Sequence, residues 1–146
     1  MTILRMPQLL LIAALAACAA AARTTQPAAA NDYSLDVRKD AASGTFLLSL
    51  TSRSTRPLCL GRDNWPSRVG RLHMGSQIAQ VVVGSQSYPA DDDNFGYCMG
   101  RGCTIRIEPG RSLRGHIAFS EFVGWNWRET LEQARLVFSV SPRTCR

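Results

Sequence analysis

From Asn31 onward the apolar positions of this chain recur at every second residue. In YSLDVRK, Leu35 and Val37 share one face. In TFLLSLTS, Phe46, Leu48 and Leu50 share one face, with Thr45, Ser49 and Thr51 opposite. CTIRIEPG turns Ile105 and Ile107 inward and Arg106 outward, RGHIAFSEF places Ile117 with Phe119, and ARLVFSVSP aligns Leu136, Phe138 and Val140. IAQVVVG reads as a shorter, continuously apolar strand. Successive side chains of a strand point to opposite faces, so each stretch predicts a strand with one buried side. Turn signals fall between them: Ala42-Ser43-Gly44, Arg56-Pro57, Pro109-Gly110 and the Asp91-Asp92-Asp93-Asn94 cluster. Short alternating strands separated by turns predict an all-β antiparallel β-sandwich of about seven strands in two sheets. One segment breaks the rhythm. Asn126 as N-cap with Glu129 three residues on has the form of a capping box, which predicts a short helix over 127–133.

Before Asn31 the pattern is different. Met1–Gln8 holds one charge, Arg5, and Leu9–Ala22 is apolar. That run is short of the roughly 20 residues a helix needs to cross a bilayer. A positive start, a short apolar core and small residues after it predict a secretory signal peptide. Ala19–Ala30, AAAARTTQPAAA, lacks apolar periodicity and contains Pro27, which predicts a tether without structure of its own. The expected organisation is a leader over 1–17, a tether over 18–30 and one domain over 31–146.

Leu15-Ala16-Ala17-Cys18 resembles the lipobox of bacterial lipoproteins. The resemblance implies cleavage between Ala17 and Cys18, a diacylglycerol on the Cys18 thiol and an acylated new N-terminus. One acyl chain binds a membrane only marginally, whereas two or three hold firmly. Residue 19 is alanine rather than aspartate, the residue that retains such proteins at the inner membrane. The resemblance therefore implies lipid anchoring at the outer membrane, on its periplasmic face.

Cysteine parity points the same way. Of five cysteines, Cys18 is assigned to lipid, which leaves Cys59, Cys98, Cys103 and Cys145. An exported compartment is oxidising, so two disulfides are expected. Three connectivities are open. The favoured one joins Cys98 to Cys103 around CMGRGC, whose glycines permit a tight turn, and Cys59 to Cys145 across most of the domain. With two histidines and no CxxC pair, the thiols do not suggest zinc.

The net charge is +6, falling to +5 without Arg5, and arginine carries nearly all of it because Lys39 is the only lysine. Arg62, Arg68, Arg71, Arg101, Arg106, Arg111 and Arg114 are scattered and form no basic run, so the simplest reading is a solvated basic surface. Lipid phosphate or an acidic glycan is the sharper alternative. Export argues against nucleic acid as a partner.

The segments FLLSLTSRSTRPL and IEPGRSL, within Thr45–Leu113, are similar to immunoglobulin-like domains of exported bacterial proteins, including proteinase-inhibitor domains of the BsuPI type. The tryptophan-rich middle segment of that family has no clear counterpart here. The resemblance implies an immunoglobulin-like sandwich, and such folds host many functions.

Motifs for chemistry are sparse. His73 and His116 are the candidate bases, yet no Gly-x-Ser-x-Gly accompanies them, and alternation against Ile117 turns His116 toward solvent or a sheet surface. Asp91, Asp93 and Asn94 offer oxygens for a loose calcium site, but an EF-hand register beginning at Asp91 puts Phe95 and Gly102 at ligand positions. Trp65, Trp125 and Trp127 read first as core. The candidate binding loop is Phe95, Tyr97, Met99 and Arg101, because a braced loop meets its ordering cost before it binds. Together these features predict a non-enzymatic, lipid-anchored periplasmic module for binding or envelope maintenance, without metal or cofactor, whose partner is a protein or an anionic envelope ligand. A proteinase or lysozyme inhibitor is the alternative and a small hydrolase the third reading. A lysozyme inhibitor should be acidic to meet its basic enzyme, which the +5 charge disfavours.

Overall fold

A computed structural model describes residues 25–92, 98, 100 and 102–145. The fold is mostly β, with nine short strands in three small antiparallel sheets. The longest strands are β1 (Tyr33–Asp40) and β2 (Thr45–Ser52), at eight residues each, and β7 (Ser112–Ala118), at seven. β1 and β2 form a hairpin, and β2 alternates strictly between buried and half-buried positions. Gly44 closes that hairpin at φ +66°, a conformation open to glycine. β7 pairs with the other edge of β2 to complete the first sheet. In the second sheet β3 (Leu58–Gly61) is central, between β6 (Thr104–Ile107) and β9 (Arg143–Thr144). In the third, β4 (Ala79–Val83) is central, between β5 (Gln86–Pro89) and β8 (Arg135–Phe138).

The expectation of about seven strands in two sheets is thus corrected in detail. β3, β5 and β9 are additions. β5 is polar and mostly exposed, and β9 spans two residues, so neither carries an apolar alternation. All three sheets bury their apolar faces in one core, with Phe46, Leu48 and Leu50 from β2, Leu58 and Leu60 from β3, Val81 from β4, Ile117 from β7 and Leu136 from β8.

An aromatic cluster fills the end of this core. Phe46 lies 4.8 Å from Phe119 and 5.7 Å from both Phe122 and Trp125, ring centroid to ring centroid. Trp127 reaches Phe119 at 5.2 Å from a half-buried position. The tryptophans are therefore core residues here, although the chain is not extended between them. Trp127 opens the short helix α1 (Trp127–Thr130), and turns follow through Gln133. The expected capping box is absent, since Asn126 makes no side-chain capping bond. Thr130 closes the turn instead: its Oγ1 donates to the Asn126 carbonyl at 3.0 Å and accepts the Trp125 indole N–H at 2.9 Å. The one lysine, Lys39, donates to the carbonyls of Leu131 and Glu132 at 2.8 and 2.9 Å, where the cation meets the negative end of the helical turn.

Two disulfides are present, Cys59–Cys145 and Cys98–Cys103, with Cα–Cα distances of 5.0 and 5.3 Å. They take up all four cysteines of the expected domain. The chain also joins the fold earlier than the expected boundary at Asn31. Pro27 bridges Arg143, Ala28 N–H bonds to the Pro142 carbonyl at 3.0 Å, and Thr144 N–H bonds to the Gln26 carbonyl at 3.0 Å. β9 presents an open backbone edge, and this segment satisfies it. Cys18 and the rest of 1–24 lie outside the described residues. No helix among the described residues is long and apolar enough to cross a membrane.

Candidate functional site

β7 is an outer strand, paired with β2 along one edge only. On its other edge the N–H of Ala118 bonds to the Gly70 carbonyl at 3.2 Å. Backbone groups alternate between the two edges of a strand, so the N–H and C=O of His116 and Arg114 point to that same open side. A cleft of about 480 Å³ lies there, lined by four consecutive β7 residues from Leu113 to His116. Trp65, Ile105 of β6 and Leu113 supply its apolar lining. Arg62, Arg68, Arg71 and Arg114 surround them, joined by His73 and His116.

Two glycines allow this assembly. Trp65 is buried, and a Cβ on Gly115 would fall 2.7 Å from its Nε1 and 3.0 Å from its Cε2. A glycine inside a strand often marks such a close approach. Trp65 is held on its other side by Phe138, 5.9 Å away between ring centroids. Gly70, at φ +80°, lies against the His116 ring, where a Cβ would come within 2.8 Å of Cδ2. It also closes a tight turn. Gly70 N–H bonds to the Ser67 carbonyl at 3.0 Å, Ser67 N–H to the Arg71 carbonyl at 2.9 Å, and Arg71 N–H to Ser67 Oγ at 3.1 Å. The turn holds Arg68 and Val69 out in solvent.

Among the described residues the lining is strongly cationic, with four guanidinium groups against one carboxylate, Asp63. Asp63 is itself engaged, accepting the Cys98 N–H at 3.1 Å, while Arg62 Nε donates to the Gly102 carbonyl at 3.1 Å. The disulfide-clipped loop is thereby tied to the margin of the cleft. Glu121 faces Arg71 at 3.9 Å. Arg68 and Arg114 have no ion-pair partner among the described residues.

His73 and His116, far apart in sequence, line the same cleft, and His116, expected toward solvent or a sheet surface, is half-buried on β7. Ser67, the only hydroxyl residue among the described residues of the lining, serves as the acceptor of its own turn. Phe95, Tyr97, Met99 and Arg101, the expected binding loop, lie outside the described residues, as do Asp93 and Asn94. Among the described residues no three His, Cys, Asp or Glu side chains gather to hold a metal. Asp92 instead accepts the Ser76 N–H at 2.8 Å and the Ser76 hydroxyl at 2.7 Å. These bonds, the hydroxyl's foremost, hold its carboxyl below the ordinary aspartate range. Of the scattered arginines, Arg106 pairs with Glu108 at 2.6 Å, outside the cleft.

Sequence reasoning passed over the cleft because no local motif announces it. Arg62, Arg68 and Arg71 meet Arg114 only in the folded chain, where Trp65 packs on Gly115 and the Gly70 carbonyl accepts the Ala118 N–H. Comparison with protein-family models, with curated proteins and with solved structures returned no match.

Proposed function

We propose that this chain is a non-enzymatic binding module of the bacterial envelope, held to the membrane by lipid on Cys18, with the arginine-lined cleft as its ligand site. The observation that carries this reading is the disulfide pairing. Both bridges lie in the folded body and use every cysteine except the one in Leu15-Ala16-Ala17-Cys18. Disulfides form and persist in oxidising compartments, which fits a leader that exports the chain. We read the body as a variant of the immunoglobulin-like sandwich, a reading supported by short antiparallel strands whose three small sheets share one core. The cleft favours binding over catalysis because its chemistry is a set of cations around an apolar lining, with Ser67 committed to a turn. Nucleic acid is not the partner of a periplasmic protein, and the arginines suit phosphate or carboxylate groups of the envelope.

Metabolic labelling with an alkyne-tagged fatty acid tests the anchor. The wild-type chain expressed in a Gram-negative host takes up label, and Cys18→Ser does not. An unlabelled wild-type chain, or label independent of Cys18, overturns the reading.

A further inference from the structure

We infer that the cleft beside β7 is a recognition site for a phosphorylated sugar, free or as the headgroup of a lipid. The inference deepens the binding role proposed above and rests on it. Three independent features of the cleft converge on this chemistry. First, its charge suits a dianion. Among the described residues, four guanidinium groups share the lining with one carboxylate, which is already bonded to Cys98 N–H. Arg68 and Arg114 have no ion-pair partner among the described residues. Guanidinium groups bind phosphate through paired N–H bonds, so cations held from different segments can grip one phosphate together.

Second, the cleft has an open strand edge. The Ala118–Gly70 bond fixes which edge of β7 faces outward, and alternation then directs the N–H and C=O groups of Arg114 and His116 to that side. A simple anion uses the donors alone. A sugar uses both, because its hydroxyls donate to carbonyls and accept from N–H groups. Third, Trp65, Ile105 and Leu113 give an apolar lining against which the C–H face of a sugar ring packs. The volume of about 480 Å³ is on the scale of small-molecule sites and fits a phosphorylated monosaccharide.

The test is calorimetric titration of the full chain, purified from envelopes in detergent. Four probes are used: glucose monophosphate, inorganic phosphate, glucose and a short-chain phosphoinositide monophosphate. Glucose monophosphate is expected to bind at least about tenfold more tightly than inorganic phosphate, a gap of roughly 1.4 kcal/mol. Glucose alone is expected to give no heat. Binding of both glucose monophosphate and the phosphoinositide supports a site that takes the free sugar. Binding of the phosphoinositide alone supports a lipid headgroup as the source. The double variant Arg68→Gln/Arg114→Gln alters two exposed side chains, so it should melt with the wild type while losing at least about tenfold in affinity. The inference is overturned if neither phosphorylated probe binds, if inorganic phosphate binds as tightly as both, or if the double variant binds like wild type. Fatty-acid labelling of Cys18 with no binding sinks the ligand alone, whereas binding by a chain that takes up no label sinks the anchor alone.

Discussion

The two disulfides span very different lengths of chain, and removing the longer one should cost more stability, with a logarithmic dependence on loop length. Cys59–Cys145 encloses a separation of 86 residues and Cys98–Cys103 one of 5. In the chain-entropy treatment a cross-link removes loop-closure freedom from the unfolded ensemble, by about 4.5 kcal/mol for the long bridge and about 2 kcal/mol for the short one. At roughly 4 °C per kcal/mol for a domain of this size, Cys59→Ala/Cys145→Ala should lower Tm by about 18 °C and Cys98→Ala/Cys103→Ala by about 8 °C. The structure adds a second reason for the order. Cys59 sits in β3, the central strand of its sheet, and Cys145 follows β9, so their bond holds that edge and the Gln26–Ala28 segment paired to it. The short bridge instead braces a loop joined to the body through Asp63 and Arg62. Thermal melts by far-UV circular dichroism of the three proteins, without reductant, measure the difference. A short-bridge variant that melts at or below the long-bridge variant would refute the reasoning.

Further consequences follow from single side chains. Gly115→Ala puts a Cβ 2.7 Å from Trp65 Nε1, so overpacking should cost about 1–3 kcal/mol and shift tryptophan emission; an unchanged melt and spectrum would contradict the packing described here. Ser52 is buried on the core face of β2, and its hydroxyl finds no partner among the described residues. Ser52→Ala should therefore stabilise the fold by about 1 kcal/mol in urea titration, and a loss of stability would count against that environment. Asp92, its carboxyl held low by the Ser76 bonds, contributes stability above its unfolded value of about 3.9 and loses it as pH falls through the lower folded value. The Asp92 carboxyl should accordingly titrate below that value by NMR, and Ser76→Ala should move it upward; a titration unmoved by Ser76→Ala would remove the stated cause.

The parts of the fold legible in sequence are those where one residue type at one spacing decides the outcome. β2 alternates so strictly that its buried face, Phe46, Leu48 and Leu50, could be named from the pattern. The bridges follow from cysteine parity and from the glycines of CMGRGC. β3 left a signal in Leu58 and Leu60, but only four residues long and directly after Pro57. β5 and β9 left none, because four mostly exposed residues and two residues are too short and too polar to show an apolar alternation. The Asn126 box failed because burying Trp125 turns its indole N–H to Thr130, which closes the turn from the other end. The cleft is a product of tertiary structure. Arg62 and Arg114 stand far apart in the chain, and the contacts of Trp65 with Gly115 and of Gly70 with β7 bring them onto one surface.

The central claim is a chain with one thiol carrying lipid and four thiols locked in pairs. Non-reducing mass spectrometry of protein purified from bacterial membranes, intact and after proteolysis, addresses it in one measurement. The account predicts a chain that starts at Cys18, carries acyl mass on that residue and yields peptides joined as Cys59–Cys145 and Cys98–Cys103. A chain retaining residues 1–17, or one with free thiols at the four domain positions, would contradict it.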